Sequence, residues 1–204
     1  TTAALVTQAG GKGIAVEVDH FQDDQIQELF KQVEAEHEGL DILVNNVFKI
    51  PDTPAWTGGF WEHPLQIWDD QAGIGLRAHY VASWHAANRM FESEYARMLN
   101  VSSPGGQSYH FSCSYGAGKA GLDRLTADMA VELEPKGVPA CVLYPGAGAT
   151  EFIQEHAESQ GMDLSLSQTP LLVGRSATAL LTADDLMSRT GTIQWVEDLS
   201  LIHI

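Results

Sequence analysis

Apolar positions along the chain alternate between short, near-continuous runs and recurrences every three or four residues. The chain opens at Thr1 in a helical pattern, and Gly10-Gly11-Lys12-Gly13 reads as the turn from that helix into a strand. Ile14, Val16 and Val18 form a short apolar run ending at Asp19, which predicts the strand itself. Ile26, Leu29, Phe30 and Val33 recur at helical spacing, with Asp23 and Asp24 at the start and Gly39 past the end. Asp41-Ile42-Leu43-Val44 predicts a strand that runs into Asn45-Asn46, and a Pro/Gly-marked loop follows from Pro51 to Gly59. From about Pro64 to Phe91 the pattern is a long helix with Ile74, Val81 and Trp84 on one side. Met98-Leu99-Asn100-Val101 is the next strand and leads into Ser102, Ser103 and the turn Pro104-Gly105-Gly106. A helix begins near Tyr115, carries Leu122, Leu125, Met129 and Leu133, and is stopped by Pro135 and Gly137. Ala140–Tyr144 is a strand before Pro145-Gly146, a polar loop spans 151–168, a helix 172–181 and a closing strand 192–196.

Short apolar strands alternating with longer helices predict an α/β fold, a parallel sheet covered on both faces. Ligands of such sheets sit at the carboxyl ends of the strands. Asp19, Asn45, Asn46, Ser102, Ser103, Pro145 and Gly146 all fall at those ends. Residues 1–198 read as a single domain. The last six, Leu199-Ser200-Leu201-Ile202-His203-Ile204, resemble a translated sequencing adapter or else form a short native end. They are treated as a non-native or frayed tail.

Composition narrows the function classes. A formal net charge of −16 argues against nucleic acid or an anionic membrane as partner, since both need basic patches. It leaves room for a phosphorylated cofactor held by backbone amides. No apolar run approaches the roughly 18 residues of a membrane span. The two cysteines, Cys113 and Cys141, make no disulfide framework, so a reduced, cytoplasmic setting is expected, with Cys141 in the core. His110 and Cys113 are spaced like metal ligands but lack a second pair, so no metal is expected.

Tyr115 and Lys119 stand one helical turn apart and share a face. A free phenol has a pKa of about 10 and is a poor acid–base group at neutral pH. An ammonium about 4 Å away favours the phenolate by up to about three pK units, against desolvation. With a hydroxyl from Ser103 or Ser102 at the preceding strand end, the pair can move a proton to or from a carbonyl oxygen. Taken alone, this spacing is that of a core tyrosine and a solvated lysine; the strand-end serines and the downstream Pro145-Gly146 turn it into a site. Asp69 and Asp70 read as a solvated helix start, and Trp61, Trp68 and Trp84 as core, Trp61 being the best candidate for an exception. Gly73-x-Gly75-x-x-Ala78 matches a dinucleotide fingerprint in form only, because it lies inside a helix and follows no strand.

The ordered set Asp41–Asn46, Asn100-Val101-Ser102-Ser103, Tyr115-x-x-x-Lys119 and Pro145-Gly146-x-x-x-Thr150 resembles the short-chain dehydrogenase/reductase family. Phe60-Trp61-Glu62-x-Pro64, Trp68-Asp69-Asp70 and Gly75-Leu76-Arg77-x-His79-Tyr80 are similar to the subgroup around dehydrogenase/reductase member 1. The resemblance implies a Rossmann-type doubly wound parallel sheet, and NAD or NADP as cofactor. It implies a small-molecule carbonyl or alcohol as substrate and a homo-oligomer. Ser103, Tyr115 and Lys119 would be catalytic. Asp19, Asn45, Asn46, Tyr115, Lys119, Pro145, Gly146 and Thr150 would serve the cofactor. The family's Gly-rich dinucleotide turn, with its strand–helix–strand of about forty residues, would precede Thr1, so the sheet is expected to lack its first β-α-β segment. Gly75 stands where the family has a structural Asn, and Val47-Phe48 where it often has Ala-Gly. The expected activity is hydride transfer between carbonyl and alcohol, with a non-catalytic ligand- or partner-binding scaffold as the alternative.

Overall fold

The computed structural model describes residues 1–52, 58–160 and 163–201. Four strands, β1 (Ile42–Asn45), β2 (Arg97–Val101), β3 (Ala140–Tyr144) and β4 (Ile193–Trp195), pair in that order as one parallel sheet. Val44 lies opposite Leu99, Leu99 opposite Cys141 and Tyr144 opposite Trp195. Parallel neighbours need crossovers, and helices supply them. The helices are α1 (Thr2–Gln8), α2 (Asp23–Glu36), α3, α4 (Cys113–Leu133), α5 (Glu151–Gln160), α6 (Pro170–Leu181) and α7 (Val196–Leu201). The rod α3 joins an α-helical turn Gln66–Trp68, a π-helical stretch Asp69–Ala78 and an α-helix His79–Met90.

Side chains alternate across a strand, so the central strands β2 and β3 each feed two cores. Met98 and Ala140 face α2, α3 and α4, where Ile26, Phe30, Ala82, Ala86, Met90, Ala130 and Leu133 close around them. Leu99, Cys141 and Leu143 face the other way, onto Leu180, Leu181, Leu186, Val196 and Leu199. Both faces of the sheet are thus covered, and the strand ends are aligned by a buried polar thread. Asn45 Nδ2 donates to Asn100 Oδ1 at 2.8 Å and to Ser83 Oγ at 3.0 Å, and Asn100 Nδ2 donates to Thr126 Oγ1 at 2.8 Å.

Several expectations are corrected. Ile14–Val18 is not a strand: it carries no ladder bonds, and β1 is the edge of the sheet. Valine-rich sequence supplies the propensity for a strand but not the neighbour that a strand must pair with. The segment runs beside α2 instead, and Val18 packs on the core. The first ten residues of the 151–168 loop form α5, with Thr150 Oγ1 accepting from Ile153 N at 3.3 Å. Trp61, Trp68 and Trp84 are exposed, the first at 75%. Asp70 is buried and paired with Lys49 at 3.0 Å rather than solvated. Leu199, grouped with the tail by sequence, is buried in the second core. Residues 53–57 of the Pro51–Gly59 loop, 161–162 of the 151–168 loop and 202–204 of the tail lie outside the described residues.

Candidate active site

The strand end of β2 and the first turns of α4 meet directly above the sheet. Ser103 Oγ and Tyr115 Oη are 2.7 Å apart. Ser103 begins a 3-10 turn, Pro104–Gly106, and accepts from Gly105 N at 3.2 Å. That turn can press against the tyrosine only because residue 105 has no side chain: a Cβ there would lie 2.4 Å from a Tyr115 ring carbon. The start of α4 is fixed by Ser112, which accepts from Tyr115 N at 3.2 Å as an N-cap. Gln71, buried on the π-helical stretch of α3, accepts from Ser112 Oγ at 3.1 Å and Ser114 Oγ at 2.5 Å. Two elements therefore hold Tyr115 from both sides in sequence.

Lys119, one turn on, is buried and points its amine at Val101 O, 3.4 Å away. Burial pushes the amine down to about 8, against the nearby Asp123 carboxylate, which raises it. The expected acidification of Tyr115 by this amine is corrected. Burial raises the phenol above its usual range, opposed only by the bond to Ser103. Lys119 Nζ lies over the tyrosine ring, 5.9 Å from its centre. Of the two candidate serines, Ser103 touches Tyr115, whereas Ser102 is buried and donates to Lys119 O at 3.3 Å. Below them Tyr144 Oη donates to Asp123 Oδ2, tying α4 to the last residue of β3. Burial raises the Asp123 carboxyl, while its bonds from Tyr144 and Ser102 lower it.

The other predicted residues are dispersed around this centre. Asn45 is wholly committed to the buried polar thread beneath the strand ends. Asn46 is exposed just past β1. Asp19 lies in an Asx-type turn, its Oδ1 accepting from Phe21 N at 3.0 Å. Pro145 and Gly146 are half-buried past β3, and Gly146 N donates to Gln168 Oε1 at 2.9 Å. Thr150 caps α5. A groove of about 550 Å³ opens past the carboxyl end of β1, lined by Asp19, His20, Val47, Phe48, Ile74 and Phe152 among others, and by none of Ser103, Tyr115 or Lys119. Sequence reasoning missed Gln71, Asp123 and Gln168. Asp123, one turn beyond Lys119, was the one legible signal, because it continues the same helix face.

Comparison with known proteins bears on the family and the fold. Residues 1–161 match the model of the family described as short chain dehydrogenase. The chain belongs to the short-chain dehydrogenase family. Dehydrogenase/reductase SDR family member 1 of Mus musculus is 35% identical over 94% of the chain and 66% of the relative. The Homo sapiens counterpart is also 35% identical, over 90% of the chain and 63% of its own length. The chain thus spans less than two thirds of the length of these relatives. Among solved structures, a mutant of the Serratia marcescens short-chain dehydrogenase/reductase superposes with TM-score 0.78 at 26% identity, over 95% of this chain and 78% of that one. ElxO, solved with NADP bound, gives TM-score 0.78 at 22% identity, covering 89% and 75% respectively. The family match and the solved structures agree with a parallel sheet flanked by helices.

Proposed function

We propose that this short-chain dehydrogenase is an NAD(P)-dependent oxidoreductase that interconverts the carbonyl and alcohol forms of a small molecule. The 2.7 Å contact between Ser103 Oγ and Tyr115 Oη carries the reading. Two hydroxyls converge where one carbonyl oxygen can accept from both. During reduction Tyr115 Oη gives its proton to that oxygen, and during oxidation it takes the proton back. Ser103 donates to the same oxygen as charge develops; removing such a donor costs about 2.7–4 kcal/mol in barrier. When bound, the nicotinamide supplies or accepts the hydride.

The residues present fit the nicotinamide and adenine ends of a dinucleotide. Among the described residues the buried amine of Lys119 has one long hydrogen bond, to Val101 O, and the groove at the carboxyl end of β1 opens beside Asp19. Asp19, Asn46, Lys119, Pro145, Gly146 and Thr150 would hold the cofactor, with Asn45 steadying the strand end beneath it. NADP in the ElxO structure supports the cofactor class. The reading includes a cytoplasmic setting, checked by cell fractionation. It also includes a homo-oligomer through the exposed Tyr80, Trp84 and Val131 of α3 and α4, checked by sedimentation.

The test is turnover of NADH or NADPH with a panel of aldehydes and ketones. Tyr115→Phe keeps the ring and loses the proton, so kcat should fall by roughly 10²–10⁴. Full activity in that variant would overturn the assignment. One observation favours a non-catalytic scaffold instead: the groove at the carboxyl end of β1 is lined by none of Ser103, Tyr115 or Lys119. Cofactor binding without turnover by the unmodified chain is the outcome that supports it.

A further inference from the structure

Phe48 follows β1 in the short stretch that ends over the site. Its ring lies against Gly75 of α3, where a Cβ would come within 3.3 and 3.5 Å of two ring carbons. The same ring meets Tyr115 edge-on, with centroids 5.7 Å apart at 90°. Lys119 Nζ sits 5.2 Å from its centre. The chain on either side is fixed to the same helix. His79 Nε2 donates to Val47 O at 2.9 Å, and Lys49 pairs with the buried Asp70 at 3.0 Å. Three consecutive residues thus dock on three positions of α3, and the middle one rests on a glycine. The π-helical stretch repeats the device at Gly73, where a Cβ would lie 3.3 Å from the ring of Phe21.

The two departures at Gly75 and Phe48 are therefore one exchange: a ring from the loop fills the space that a side chain on the helix would take. We propose that Phe48 is a positioning residue for the Tyr115–Lys119 pair, seated on Gly75 and keeping water from the amine and the phenol ring. The proposal rests on the reading of those two residues as the acid–base pair. A cation near an aromatic face is attracted by the ring quadrupole, most strongly where water is absent. With water excluded, the charge of the amine is screened less at Tyr115. The other groups that act on Lys119 are Asp123 on its own helix, Tyr115 beside it and His79 across on α3.

The direction of the test follows from burial. Removing the ring loses its attraction for the cation, which would lower the midpoint, and admits water to one side of a buried amine, which raises it; burial is the larger cause at Lys119, so the charged form becomes easier to keep. The ε-carbon of Lys119 is titrated by NMR in the unmodified chain, Phe48→Ala and Phe48→Leu, with its signal assigned by loss in Lys119→Arg. The midpoint should rise by about one pH unit in Phe48→Ala and stay at or slightly below the unmodified value in Phe48→Leu, which keeps the apolar bulk and loses only the ring quadrupole. Lys136, remote from the site, serves as control and should not move. If Phe48→Ala melts before it can be titrated, Phe48→Val carries the same expectation at smaller amplitude. A midpoint unchanged by loss of the ring, or an equal shift at Lys136, overturns the proposal. Absence of turnover in the unmodified chain counts against the oxidoreductase reading alone, because the titration needs no activity. Where turnover is present, Phe48→Ala should lower kcat about tenfold with the substrate KM unchanged.

Discussion

At Tyr115 burial favours the neutral phenol while the bond to Ser103 favours the phenolate, and burial is the larger effect. The same competition decides His79 more sharply. Its Nε2 donates to Val47 O, so its Nδ1 carries no proton and is buried without a hydrogen-bond partner among the described residues. Burial pushes the ring down to about 4, from 6.5 in a free histidine. The unfolded chain therefore binds a proton at this residue between about pH 6.5 and pH 4 that the folded chain refuses. The stability this residue contributes is full above pH 6.5 and is lost as pH falls towards 4, by roughly 3 kcal/mol in all. His79→Gln, whose amide nitrogen reaches the Nε2 position and can still donate to Val47 O, should remove most of that dependence. Urea midpoints at pH 4.5 and 7.0 check it. The gap between the two should be larger in the unmodified chain than in His79→Gln, and equal gaps would mean that other groups carry the acid sensitivity.

At the scale of elements, the segment after β3 shows how a loop is made rigid. Gln168 is buried and reaches the Pro145–Thr150 loop through side chain and backbone together. Its Oε1 accepts from Gly146 N at 2.9 Å, its N donates to Ala147 O at 2.7 Å, and its O accepts from Ala149 N at 2.9 Å. Gln168→Leu keeps the backbone bonds and removes the side-chain acceptor. A bond of this kind is worth about 1 kcal/mol net, so hydrogen exchange at Gly146 should quicken by roughly fivefold. Unchanged exchange there would show that the backbone bonds alone hold the loop. Nothing in the sequence marked Gln168, because a glutamine in a polar stretch gains its meaning from a partner about twenty residues away. By contrast α4 was legible, since Leu122, Met129 and Leu133 state its period and Tyr115 and Lys119 its functional face. The strand β2 was legible for the same reason: Met98 and Leu99 are both apolar because both faces of the sheet are covered. Ile14–Val18 reads as a strand but has no ladder, since local pattern encodes propensity and not the neighbour. The tryptophans of α3 failed differently: bulk predicts burial only where another element arrives to cover the ring.

For the molecule as a whole, a net charge of −16 is set against an open sheet edge. Ile42 and Val44 on β1 are exposed at 38% and 47%, and on that edge the strand has no ladder partner among the described residues. An unpaired apolar edge is a template for another strand, and natural sheets often guard it with charge or a bulge. Among the described residues, what opposes such pairing is the repulsion between copies of a strongly acidic chain. Repulsion of this sort disappears when it is screened or neutralised. In 1 M salt the Debye length falls to about 3 Å. Near pH 4.6, the sequence pI, the net charge itself vanishes. Light scattering at pH 7 should therefore show the apparent mass growing with added salt, and growing further as pH approaches the pI. Val44→Lys places a charge on the edge and should suppress that growth. Leu171→Lys, on exposed α6, changes the net charge equally without touching the edge and should suppress it far less. Equal suppression by the two variants would show that total charge, and not the edge of β1, governs self-association.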